Sequence, residues 1–207
     1  MRVLGIDPGL TRCGVGVVDV APNRTAVLVD VLVLRSPAEL PIERRILRIA
    51  RGIEAVMDEH RPQAVALERV FARSDVSTIM GTAQISGVAM HLAALRALPV
   101  ALHTPTEVKA AITGYGGAAK LQVGTMVARI LGLEAIPKPA DAADALALAI
   151  CHAWRTGGVA AAAAREAAPG GSGPDAGADA ALTPAQRAWL AAERAAKTSG
   201  VARTLER

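Results

Sequence analysis

Apolar residues crowd the first part of the chain in short runs. Residues 3–7, 14–20 and 26–34 are rich in Val and Leu, and Pro8-Gly9 and Pro22-Asn23 separate them. Runs of this length bounded by turn formers predict strands, and such short links predict an antiparallel meander. Over residues 41–60 the period changes: Ile42, Ile46, Ile49, Ile53, Val56 and Met57 recur at helical spacing with arginines and acids between them. That is the pattern of an amphipathic helix. Residues 63–70 read as a buried strand, 78–98 as a long helix and 100–103 as a short strand. Residues 107–113, 121–131 and 140–154 read as helices, joined by Gly114-Tyr115-Gly116-Gly117 and Pro137-Lys138-Pro139. A strand meander followed by alternating helix and strand predicts an α/β domain, a five-stranded mixed sheet with helices on both faces.

With 207 residues, 52% of them hydrophobic, the chain has enough core for one domain and too little for two of ordinary size. Past Gly157 the composition turns to Ala, Gly and Pro, so residues 1–157 read as the folded domain and 158–207 as a flexible tail. Within the tail, residues 183–197 can form a short helix, with Thr183 as N-cap and Pro184 in the first turn. Cys13 and Cys151 lie in apolar stretches without metal-ligand spacing, which favours reduced thiols and a cytoplasmic location. No export signal or membrane-spanning run is visible. A formal net charge of +4 is compatible with a nucleic-acid partner and does not by itself select one.

Four acids stand in apolar elements, where a charge is costly without a partner. Asp7 ends the first strand in Gly5-Ile6-Asp7-Pro8-Gly9, and Glu68 closes the run Ala64-Val65-Ala66-Leu67. Asp141 and Asp144 are three apart in an alanine-rich helix, so both carboxylates project from one face. If the two strands are neighbours and the helix packs over their ends, the four converge. Such a cluster repels itself unless cations occupy it, and oxygen-only ligands suit magnesium or manganese rather than zinc. Two divalent ions roughly 4 Å apart can activate a water for in-line attack on a phosphodiester. Singly, each acid has a plainer reading: Asp7 as a turn former, Glu68 as half of a salt bridge, Asp141 as a helix cap. Those roles would have to coincide at the ends of three buried elements, which is why the joint pattern prevails.

The segments GIDPGLTRCGVGVVD, ALERVF, VKAAITGYGGAAKLQV and PADAADALALAICH, in this order and spacing, resemble the bacterial RuvC family over residues 1 to about 155. The resemblance implies a ribonuclease H-like fold and an endonuclease that resolves four-way (Holliday) junctions by paired symmetric nicks in recombination and repair. It implies Asp7, Glu68, Asp141 and Asp144 as catalytic, magnesium-binding carboxylates, with about two ions per site. It also implies Phe71 as an aromatic inserted at the junction and Lys109 and Lys120 as DNA-handling residues. From the residues alone, Phe71 among arginines either stacks on a base or folds back on its helix. Arg12, Arg69 and Arg73 are looser phosphate-contact candidates. His60, His91, His103 and His152 show no ligand pairing and read as ordinary surface or core residues. Gly14 and Gly16 either admit a close backbone, DNA included, or mark a bulge.

A two-lobed sugar-kinase-like phosphotransferase shares the Gly-Ile-Asp opening but needs a longer chain. A purely DNA-binding module would not need four acids, and a YqgF-type nuclease lacks the Glu-Arg-Val-Phe and Asp-Ala-Ala-Asp combination. Helix 78–98 is apolar on more than one face, so a homodimer is expected, with Ile85→Glu or Val88→Glu as tests, whichever faces outward. The resemblance adds RuvA and RuvB as partners.

Overall fold

The structure, a computed structural model, describes residues 1–69 and 76–166. The meander forms as β1 (Arg2–Asp7), β2 (Arg12–Val20) and β3 (Ala26–Arg35), all antiparallel. Helix α1 (Ile42–His60) then returns the chain so that β4 (Ala64–Glu68) pairs in parallel with β1, on the side away from β2. After α2 (Val76–Leu95), β5 (Val100–His103) adds in parallel to β4, giving the order β3-β2-β1-β4-β5. Helices α3 (Pro105–Thr113), α4 (Lys120–Leu131) and α5 (Ala140–Glu166) follow. The expected five-stranded mixed sheet is therefore present.

The alternation of side chains along each strand builds two cores, one on each face of the sheet. Leu4, Ile6, Val15, Val17, Val65 and Leu67 point to one face and meet Ile49, Ile53, Val56 and Met57 of α1 and Ile85, Ala89 and Leu92 of α2. Val3, Val18, Val20 and Ala66 point to the other, against Val108 and Ile112 of α3, Val123 and Val127 of α4, and the run 146–151 of α5. Full burial of one such side chain is worth about 1.5–3 kcal/mol. The α1 contacts alone thus hold that helix to the sheet, and its exposed arginines face away from the core.

On the α5 face three glycines take the place of side chains. A Cβ on Gly5 would lie 2.8 Å from the Ala149 backbone nitrogen, one on Gly14 would lie 2.7 Å from the Asp141 carbonyl carbon, and one on Gly16 would lie 2.9 Å from the Leu146 side chain. The backbone that Gly14 and Gly16 admit is that of α5, which answers the alternatives left by the sequence. The irregularity in β2 lies one residue further on, between Val17 and Val18.

Several boundaries differ from the sequence reading for local reasons. Helix α2 stops at Leu95 because Ala97 takes a left-handed conformation (φ 52°) and the Leu98 N–H returns to the Ala93 carbonyl at 3.0 Å. Helix α3 starts at Pro105, ahead of the expected 107, because Thr104 and Glu107 form a reciprocal capping box. Strand β4 ends at Glu68, and α5 continues past Gly157 to Glu166. One compact unit spans Met1–Ala163. The expected helix over 183–197 and nearly all of the expected tail lie outside the described residues.

Candidate active site

The same alternation selects the side chains of the site. Asp7 follows Val3 and Gly5 on the α5 face of β1, and Glu68 follows Ala64 and Ala66 on the α5 face of β4. Parallel pairing sets Ile6 against Leu67, so Asp7 and Glu68 come level at the carboxyl ends of adjacent strands. Asp7 is also the cross-strand partner of Gly14, the residue on which the Asp141 backbone rests. Asp144 stands one helical turn further along α5. The expected convergence of Asp7, Glu68, Asp141 and Asp144 thus follows from strand register and from the glycine seat of the helix.

The electrostatics match that crowding. Burial pushes the Asp7 carboxyl up to about 8, helped by the charges of Glu68, Asp144 and Asp141 and by a hydrogen bond to Glu68. Asp7 accordingly holds a proton and shares it with Glu68. Burial also raises Glu68, as does Asp144, while the Asp7 hydrogen bond and Lys120 pull it down. At the rim, Arg12 Nε lies 3.2 Å from Asp141 and Lys120 Nζ lies 3.2 Å from Asp144. The Asp144 charge raises Lys120. Lys109, Lys120, Glu68 and Asp144 line one small pocket of about 90 Å³, floored by Val108, Val123 and Leu148.

Among the described residues, no three His, Cys, Asp or Glu side chains stand ready-gathered as metal ligands. Asp141 and Asp144 turn to Arg12 and Lys120, while Asp7 bonds Glu68. The donor set nevertheless fits an oxygen-preferring divalent cation. It is all carboxylate, and Asp7, its most buried member, is held against the like charges of Glu68, Asp144 and Asp141.

The remaining candidates divide. Arg12 sits at the site, bound to Asp141. Arg69 is exposed, and its backbone N–H donates to the His103 carbonyl at 2.8 Å. Phe71 and Arg73 lie outside the described residues. His60 pairs with Asp30 at 3.0 Å, and His91 is exposed.

His103 and His152 are both buried, with His103 Nε2 3.2 Å from His152 Nδ1. Burial lowers His103, and burial together with His103 lowers His152 to about 4, so both rings are neutral. The sequence, which left these two as ordinary surface or core residues, did not show that they pair. His103 is the β5 partner of Glu68, and His152 is two helical turns from Asp144 on α5, so only packing joins the two.

A family model described as "Crossover junction endodeoxyribonuclease RuvC" matches residues 3–152. A protein of that description from Leifsonia xyli subsp. xyli is 64% identical over 208 residues, covering 100% of this chain and 99% of the relative. One from Clavibacter sepedonicus is 61% identical and covers 94% of this chain and 98% of the relative. The likeness therefore continues beyond residue 155, where the sequence reading ended it. Among solved structures, Thermus thermophilus RuvC in complex with a Holliday junction substrate superposes with a TM-score of 0.73 at 36% identity, covering 77% of this chain and 96% of that one. The fold is ribonuclease H-like.

Proposed function

We propose a division of labour at this site from the premise that the chain belongs to the RuvC family of crossover junction endodeoxyribonucleases. It is a Holliday junction resolvase, a nuclease that depends on divalent metal. Asp7, Glu68, Asp141 and Asp144 hold magnesium, two ions per site, and manganese can substitute. When bound, these ions supply an activated water for in-line attack on the phosphodiester and charge stabilisation for the departing 3′ oxygen.

The protein's own groups do the rest. Asp7 gives up the proton it shares with Glu68 when positive charge enters. Arg12 and Lys120 release Asp141 and Asp144 and turn to the phosphates of the cut strand, and Lys109, which lines the same pocket as Lys120, meets that strand too. Phe71 stacks on a base at the crossover, with Arg69 and Arg73 on flanking phosphates.

The observation that carries this reading is geometric: parallel pairing brings Asp7 and Glu68 level at the ends of adjacent strands, and Gly14, the partner of Asp7, seats the turn of α5 that carries Asp141, with Asp144 one turn further on. Purified protein should nick a synthetic four-way junction and spare a matched linear duplex in magnesium, and EDTA should stop it. Equal cutting of both substrates would make it a general nuclease, and cutting in EDTA would refute the metal assignment.

The working unit is a homodimer, which lets two sites make paired nicks without release of the DNA. The outward stripe of α2, Met80, Ala83, Gly87, Met90 and Ala94, is exposed and supports this. Ile85 is fully buried and Val88 packs on the same core, so neither is the outward residue that the sequence sought. RuvA and RuvB are the proposed partners and the cytoplasm the proposed location. Among the described residues, no helix is long and apolar enough to cross a membrane.

A further inference from the structure

A basic surface leads away from the carboxylates across the outer edge of the sheet. Arg12, which holds Asp141, is the cross-strand partner of Arg35 on the edge strand β3. The Arg48 Nε of α1 donates to the Arg35 carbonyl at 2.9 Å. Arg45 donates to the Ser36 hydroxyl at 3.1 Å and to the Thr11 hydroxyl at 2.8 Å. Arg44, Arg48 and Arg51 recur at helical spacing along α1, and all three are exposed. The contacts thus run from the site to Arg45 and Arg48 in the first half of α1.

What these arginines lack is an acid. Among the described residues, none of Arg35, Arg44, Arg45, Arg48 and Arg51 forms an ion pair, although Glu39 and Glu43 are close in sequence. Arg45 and Arg48 are instead fixed by neutral oxygens, which orient a guanidinium without cancelling its charge. Further along α1, Glu54 and Asp58 are taken by Arg96 of the loop after α2, so the helix is basic in its first half only. A run of like charges held in place without counter-charges suits a ligand with regularly spaced anions.

We propose that Arg35, Arg44, Arg48 and Arg51 form a track for the phosphate backbone of one duplex arm of the junction as it leaves the cleavage site. The proposal rests on the resolvase reading above. One strand spacing plus the rise of α1 between Arg44 and Arg51 gives a track of about 15 Å, about four nucleotides of backbone. It reads no sequence, because exposed guanidiniums on phosphates carry no base information. It gives the enzyme a grip on the arm beside the cut.

The test is the salt dependence of four-way junction binding by the full chain, with the triple variant Arg44→Gln, Arg48→Gln, Arg51→Gln beside its parent. Each phosphate that the protein no longer neutralises should lower the log–log salt slope by about 0.9, or about 2.7 for the three. Hydroxyl-radical footprints should lose protection about four nucleotides from the cut while keeping it at the crossover. The matching Lys triple should keep the slope, and thermal unfolding of both variants at the parental temperature shows that the fold is intact. An unchanged slope and footprint in the folded Gln triple would overturn the track alone. A parent that fails to prefer junctions over linear duplex would overturn the resolvase reading and the track with it.

Discussion

Replacing Asp7 with asparagine should abolish cleavage and yet stabilise the metal-free protein at alkaline pH. Unfolded, the Asp7 carboxyl titrates near its ordinary value of 3.8; folded, burial and three neighbouring carboxylates raise it to about 8. Between those values the native chain holds a proton that the unfolded chain has released. Raising the pH therefore favours unfolding, by at most about 1.4 kcal/mol per pH unit. Below about pH 4 both states are protonated, and above about pH 8 both are ionised, so the loss is confined to that window. Asparagine matches the neutral carboxyl in shape, its amide can still donate to Glu68, and it exchanges no proton. The gap between variant and parent should thus open near zero in acid, widen to about pH 8 and then level off. For a chain of this size the widening is about 3–6 °C in Tm per pH unit. Thermal unfolding in EDTA from about pH 5 to about pH 9 measures it. Adding magnesium should raise the parent by mass action and leave the variant almost unmoved. A variant less stable than its parent at the alkaline end in EDTA, or a gap that ignores pH, would refute the account of Asp7.

Glu68→Gln, Asp141→Asn and Asp144→Asn should each slow junction nicking by more than the roughly 10–100-fold typical of groups that only support a metal ligand, with junction binding retained in gel-shift assays. Gly14→Ala places a methyl against the Asp141 carbonyl, and backbone cannot yield as a side-chain end can; a stability loss of about 1–3 kcal/mol in denaturant titration, with reduced nicking from a displaced Asp141, is the expected outcome. Met80→Glu combined with Met90→Glu, on the outward stripe of α2, should sediment at monomer mass and uncouple the paired nicks. A monomeric parent that still nicks in pairs would remove the case for a dimer.

The sequence by itself determined the strands, most of the helices and which acids stand in apolar elements. Those are local matters: side-chain period, turn formers, and charges in apolar runs read off neighbours a few residues away. The start of α3 was read as 107 instead of 105, although Thr104 and Glu107 have capping-box spacing. Convergence of Asp7, Glu68, Asp141 and Asp144 was a conditional inference until the parallel register of β1 and β4 brought two of them level. Tertiary structure alone decided what Gly14 and Gly16 are for, because a missing Cβ has meaning only when the backbone that fills its place is known. It also decided that Ile85 faces inward, since a helix apolar on several sides carries no internal mark of which side meets the sheet. The buried His103–His152 pair and the arginine track were hidden for the same reason. Their members come from separate elements, and only packing brings those elements together.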